Sequence, residues 1–196
     1  MLPFPFVSLE DVGYLLVFTV LLLDGASVPF TPVEVFLGFT GYLVAIDQLD
    51  FFTALVVTVL GSLAGHTIAY ALGYRYGRDF FKRFGKYVLI TPERFKQAER
   101  LLKKHGPLAA FGMRFIPGLR SLTSAMLGII KMPFLEFLLF TTFAVTLWNL
   151  MLMLLGYFFG LAFASEAAWL VPLVIFGIAG GFGLVAVLWY RLSKTK

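Results

Sequence analysis

No cysteine occurs among the 196 residues, which excludes disulfides, thiolate metal sites and cysteine nucleophiles. Charge is also scarce: Asp, Glu, Lys and Arg make up 14% of the chain beside 60% hydrophobic residues, a balance that suits lipid rather than water. Histidine occurs twice, at His66 and His105, and no metal-ligand cluster or nucleophile–base pair is apparent. Lys and Arg are missing from the first 74 positions, which carry six carboxylates, whereas ten of the sixteen basic residues fall between Arg75 and Lys104. The opening Met1 to Phe6 has neither a basic n-region nor a convincing small-residue cleavage site. It reads as retained sequence, not as a removable signal peptide, with Leu15 to Leu23 staying in the mature chain.

What is present is apolar surface, including 23 Phe. At about 20 residues per crossing, the apolar segments allow roughly three full transmembrane helices plus two shorter or interrupted insertions. The expected fold is therefore an all-α integral membrane protein forming one domain over residues 1–196. The positive-inside tendency places the basic linker 78–106 and the tail of Arg191, Lys194 and Lys196 in the cytoplasm, with Asp47 and Asp50 facing outward. A short chain without appended domains suits a multi-pass protein of a prokaryotic cytoplasmic (inner) membrane.

Two segments cannot be straight lipid-facing helices. Between Val12 and Ile46 lies Asp24-Gly25-Ala-Ser-Val-Pro29-Phe-Thr-Pro32-Val-Glu34, where two prolines and two carboxylates break the apolar run. Two half-helices entering and leaving on the same side fit it better. Pro107 to Ile130 is the second such insertion and contains Arg114-Phe-Ile-Pro117-Gly118-Leu-Arg120. Pro29, Pro32, Pro117 and Gly118 are the loop-breaking residues. A charge at bilayer depth costs about 2.5–3.5 kcal/mol on insertion scales, and broken backbone there must be buried in protein or line a wet cavity.

Phe51 to Tyr76 and Phe134 to Phe159 are full spans, and 167–190 is a last one. The first span carries Gly61, Gly65, Ala69, Gly73 and Gly77 at every fourth position, a stripe that serves close helix packing. Thr91-Pro92-Glu93 starts an amphipathic basic helix at the cytoplasmic surface, either drawing anionic headgroups or simply setting topology. Nucleic-acid binding has no accompanying motif. His66 reads as a packed neutral histidine, with a proton relay as the alternative, and Asn149 as an interhelical hydrogen-bonding residue. His105 reads as interfacial.

An internal echo joins the two halves: Leu72-Gly73-Tyr74-Arg-Tyr-Gly77 closes the first span and Leu155-Gly156-Tyr157-Phe-Phe-Gly160 the second. Each follows an interrupted, charge-bearing insertion. Units 12–77 and 107–160, running in opposite directions, would form an inverted repeat whose opposed re-entrant hairpins meet near the midplane. There Arg114 and Arg120 could hold a phosphate bidentately, aided by half-helix N-termini. Asp24 and Glu34 could neutralise the arginines or take up protons.

At these residues the sequence resembles the DedA family, also described as the SNARE-associated Golgi or VTT-domain family. The likeness runs from Asp24 to Gly160 through Lys104-His-Gly106, the Arg114-to-Arg120 block, Gly128-Ile-Ile-Lys131-Met132-Pro133, Trp148 and Gly156-Tyr157. It implies opposed re-entrant loops and lipid translocation, with bacterial members linked to recycling of undecaprenyl phosphate and to the proton-motive force. By the same resemblance Asp24 and Glu34 match the family's membrane-embedded acids, and Arg114 and Arg120 its two arginines; the expected roles are proton coupling for the acids and substrate binding for the arginines. The position of Asp24 is often Glu in the family, which changes the reach of that carboxylate.

The expected function is a lipid transporter or flippase that moves a phosphate-bearing lipid with proton coupling. It is not an enzyme, and it needs no cofactor or metal. Phospholipid scrambling, small-solute or ion transport and a scaffold role are the alternatives. Homo-oligomerisation is left open.

Overall fold

The computed structural model describes residues 9–28, 32–84 and 120–164, together with Lys96, Glu99, Arg100 and Leu102 of the basic linker. Every regular element among them is an α-helix: α1 (Leu9–Gly25), α2 (Val33–Ala45), α3 (Phe51–Phe84), α4 (Arg120–Ile129) and α5 (Phe134–Ala164). Pro29, Arg114, Pro117, Gly118, His105 and the last span 167–190 lie outside the described residues. The expected amphipathic linker helix is described at its four positions only. There Leu102 is buried while Lys96 and Arg100 are exposed, as an amphipathic helix requires.

Among the described residues two helices are long and apolar enough to cross a membrane, Phe51–Gly77 with 27 residues and Phe134–Ala162 with 29. At 1.5 Å per residue each spans about 40 Å, more than the roughly 30 Å of a hydrocarbon core. The first starts on an N-cap, because the Asp50 carboxylate accepts hydrogen bonds from the Thr53 backbone N–H at 2.8 Å and the Thr53 hydroxyl at 2.7 Å. These donors, the Thr53 backbone N–H foremost, hold the Asp50 carboxyl below its ordinary pKa. The second starts at the residue after Pro133, a position where a missing N–H costs nothing. The other helices are shorter: 17 residues in α1, 13 in α2 and 10 in α4.

Three of the turns use one device. After α1, α2 and α4 the chain closes a paired i−3 and i−5 hydrogen-bond motif, seen for instance in Lys131 N–H to Gly128 O at 2.9 Å and Met132 N–H to Leu127 O at 3.1 Å. The left-handed residue in each is not glycine: Ser27 has φ 67°, Asp47 56° and Lys131 57°. Tyrosine hydroxyls then tie two of these turns down. The Asp50 N–H donates to the Tyr14 hydroxyl at 2.9 Å, and the Tyr70 hydroxyl donates to the Met132 carbonyl at 2.6 Å. The Tyr70 ring also stacks on Phe137, with centroids 4.3 Å apart.

Glycines set which helices meet. A Cβ on Gly65 would strike the Leu22 carbonyl and one on Gly61 would lie 2.6 Å from the Phe18 carbonyl, so α1 packs on the first half of α3. The second half of α3 receives α4, with Gly73 against the Ala125 carbonyl and Gly128 against Tyr70 and Tyr74. α2 turns away to α5, with Gly156 against the Gly38 carbonyl and Gly41 against Met153 and Tyr157. Each long helix is thus covered by the short helix that precedes the other one. Contacts of Thr58 with Met153 and of Ser62 with Asn149 rise along α3 and fall along α5, so the two spans are antiparallel.

Gly77 departs from its expected role in the packing stripe. Nothing lies within 4 Å of where its Cβ would be, and its backbone takes φ 56° and ψ −144°, a region open essentially to glycine alone. It kinks α3 at the end of the membrane-length segment instead of packing it.

Candidate functional site

The end of α1 and the fifth residue of α4 come to the same level of α3. Gly25, at the end of α1, sits with its would-be Cβ 2.6 Å from the Ser62 carbonyl and 2.8 Å from the His66 N–H, which places the half-buried Asp24 beside these two turns. His66 Nδ1 lies 3.1 Å from Ser124 Oγ, four residues into α4, whose first residue is Arg120. Asn149 Nδ2 donates to Ser62 Oγ at 3.3 Å and ties α5 to the same place. Roughly halfway along the 27-residue span, therefore, α1, α3, α4 and α5 share one polar layer.

Glu34 lies on the remaining helix, α2. It stands in the first turn of α2, exposed in the isolated protein, one turn before the Gly38–Gly156 crossing. Gly156 is itself two turns beyond Asn149 on α5. Pro32 stands immediately before α2. Arg114, the second expected phosphate ligand, is outside the described residues, as is any account of where the Arg120 side chain points.

The polar layer is dry. His66 is 6% exposed, Ser124 1%, Asn149 2% and Thr123 0%. Residues Thr123 to Gly128 are buried without interruption, so this stretch of α4 is enclosed on all its faces, unlike a helix with one face to lipid. In this setting an unmade hydrogen bond costs about 1–3 kcal/mol, and pairs such as Ser62–Asn149 meet that demand across helices. Hydroxyls elsewhere turn back on their own helix, as Thr40 does to the Phe36 carbonyl at 2.7 Å.

Sequence reasoning named His66 and Asn149 but not their partners. Ser62 and Ser124 carry no signal beyond lying one turn from His66 and one turn from Arg120, respectively. Ser124 and His66 stand as a hydroxyl and an imidazole in contact within the helix packing. Both are sealed from any substrate in this conformation. Among the described residues no three His, Asp or Glu side chains gather closely enough to hold a metal ion.

Comparison with known proteins places the chain among membrane proteins. The chain is 31% identical over 153 residues to the uncharacterized membrane protein YbfM of Bacillus subtilis, covering 78% of this chain and 94% of that one. Undecaprenyl phosphate transporter A of the same species is 33% identical over 132 residues, 67% of each chain. An alkaline phosphatase-like protein of Lactococcus lactis subsp. cremoris is 32% identical over 153 residues, 76% of this chain and 71% of its own. No solved structure matches. The VTT domain matches residues 28–158, a stretch that holds Glu34, Arg120, the first span and all but the last four residues of the second, and with that match the chain belongs to the VTT-domain, or DedA, family of membrane proteins.

Proposed function

We propose that the protein is a lipid transporter, moving the headgroup of a phosphate-bearing lipid such as undecaprenyl phosphate through the polar layer while the tail remains in the bilayer. One observation carries it: the end of α1, next to Asp24, and Ser124, one turn after Arg120 in α4, meet the same two turns of α3, between antiparallel spans. In this reading Arg114 and Arg120 hold the phosphate, with N–H groups at the start of α4 adding donors. Asp24 and Glu34 exchange with the lipid as partners of the arginines, and take up protons when the phosphate displaces them.

The short helices support re-entrant insertions. At 1.5 Å per residue α1 reaches about 26 Å, α2 about 20 Å and α4 about 15 Å, each short of a hydrocarbon core. The matching crossings support an inverted repeat. Met153, Gly156 and Tyr157 meet Gly38 and Gly41 as Tyr70, Gly73 and Tyr74 meet Ala125 and Gly128, a constant shift of 83 along the long helices and 87 along the short ones. Two such units with the site between them can rock about it and expose it alternately to either side. A similarity of about one third to a protein named as an undecaprenyl phosphate transporter favours that cargo over a small solute.

The test is headgroup translocation of a polyprenyl phosphate in proteoliposomes, with and without an imposed pH gradient, comparing wild type with folded Arg114→Ala and Glu34→Gln. Loss in both variants and acceleration by the gradient in wild type are expected. Movement of ordinary phospholipids without movement of polyprenyl phosphate would make the protein a scramblase. Release of inorganic phosphate from the lipid would make it a phosphatase, and silence in every arm would leave a scaffold or small-solute role.

A further inference from the structure

The described helices are not held together equally. Glycines bring the backbone of α3 against those of α1 and α4: a Cβ on Gly61 would lie 2.6 Å from the Phe18 carbonyl, and one on Gly128 2.7 Å from the Tyr74 nitrogen. α2 meets α5 in the same way, where a Cβ on Gly41 would lie 2.9 Å from the Tyr157 nitrogen and one on Gly156 2.8 Å from the Gly38 Cα. Backbones in such contact cannot slide unless a carbonyl of one helix rides over the other. Among the described residues no glycine joins α3 to α5 or α1 to α2.

The seam between these two groups of helices is built from side chains. Thr58 meets the Met153 sulfur at 3.8 Å, Ser62 meets Asn149 at 3.3 Å, and the Tyr70 ring lies on Phe137. Val17 and Leu21 of α1 share an apolar cluster with Val33 and Leu37 of α2. Contacts of this kind, an unbranched methionine among them, re-form after a small shift through rotamer changes. Two connections that cross the seam are tied to one side of it, because Tyr14 on α1 holds the Asp50 N–H and Tyr70 on α3 holds the Met132 carbonyl. Their bending points are therefore residues 46–49 and Pro133.

Resting on the transport function proposed above, we propose that the protein moves as two bodies, α1, α3 and α4 in one and α2 and α5 in the other, which shift along the α3–α5 seam. The seam cuts through each insertion-and-span unit and does not run between the units: α2 leaves α1 and α3, and α4 leaves α5. Asp24 accordingly travels with α3 and Glu34 with α5, although the two acids are close in the chain. Each movement changes the separation of these acids, and with it the charge that a phosphate headgroup meets between the spans.

The decisive experiment uses the absence of cysteine, which lets spin labels be placed by pairs of cysteine substitutions. Leu15 on α1, Val35 on α2, Leu139 and Phe158 on α5 and Lys131 just after α4 are exposed, so labels there spare the packing. For the full chain in lipid nanodiscs, double electron–electron resonance is expected to give one narrow distance for Leu15→Cys with Lys131→Cys and for Val35→Cys with Leu139→Cys, the pairs within a body. Lys131→Cys with Phe158→Cys, across the seam, is expected to give two distances that differ by up to about one helical turn, roughly 5 Å. A spread confined to a within-body pair, or three distributions of equal width, overturns the proposal. In proteoliposomes, a short thiol cross-link between Thr58→Cys and Met153→Cys is expected to abolish the polyprenyl phosphate movement that the same variant shows before cross-linking, and movement that persists with the seam locked also overturns it. Wild-type protein that moves no lipid defeats the transport function alone, because the label distances decide by themselves whether the two bodies exist.

Discussion

Gly156 rests on the carbonyl of Gly38, and the relationship is one-sided. A Cβ on Gly156 would fall on Gly38, whereas a Cβ on Gly38 meets nothing within 4 Å. Gly156→Ala should therefore push α2 off α5 at a cost of about 1–3 kcal/mol. Gly38→Ala should be neutral, or stabilise by up to about 1 kcal/mol through helix propensity. Denaturant titration in mixed micelles separates the two, and equal destabilisation by both would mean that the helices do not cross in this register.

Tyr70→Phe keeps the ring stacked on Phe137 and removes only the hydroxyl that donates to the Met132 carbonyl. The loss should be about 1–3 kcal/mol, since a buried acceptor is left without its donor. Phe137→Leu, which spares the hydrogen bond, would show what the stacking contributes on the same scale.

Lys131 occupies a left-handed conformation at the end of α4 with φ 57°. The conformation costs about 1–2 kcal/mol for a residue with a Cβ, and glycine returns about 0.5–1 kcal/mol of that gain as extra freedom in the unfolded chain. Lys131→Gly should raise stability by up to about 1 kcal/mol. A melting temperature that falls would show that the lysine side chain, not the turn, governs this position.

Acid should weaken the start of α3. The Asp50 carboxyl is held below its ordinary value of 3.8 by the Thr53 backbone N–H and then the Thr53 hydroxyl, so folding favours its charged form. Its contribution is complete above that value and is lost as pH falls through the lower folded value. Asp50→Asn, which keeps an oxygen for Thr53, should flatten the dependence of melting temperature on pH below about 4. An unaltered acid limb in that variant would assign the dependence to other carboxylates.

The ends of the elements were legible because single residues declare them. Asp50 and Pro133 stand where the two spans begin, and Pro29 and Pro32 mark the break between α1 and α2. The partners were not legible, because spacing of small residues says that a helix is approached closely and nothing of what approaches it. The stripe from Gly61 to Gly73 divides between α1 and α4, and Gly77 proved to be a backbone bend. Of the candidate site, only the charged residues carried a signal in the sequence. Charge at membrane depth pointed to Asp24, Glu34 and Arg120, whereas Ser62 and Ser124 look like any helical serine until the fold brings Asn149 and His66 to them.

The exchange of short helices also orders events at the ribosome. α2 finds its lasting neighbour only once Gly156 has been made, 118 residues after Gly38. At about 5–20 residues per second that is a delay of roughly 6–24 s, during which the Gly38–Gly41 face must be sheltered by lipid or by the insertion machinery. The first half of the chain is therefore held in waiting by the second, and a protein cut short before α5 would leave α2 without its partner.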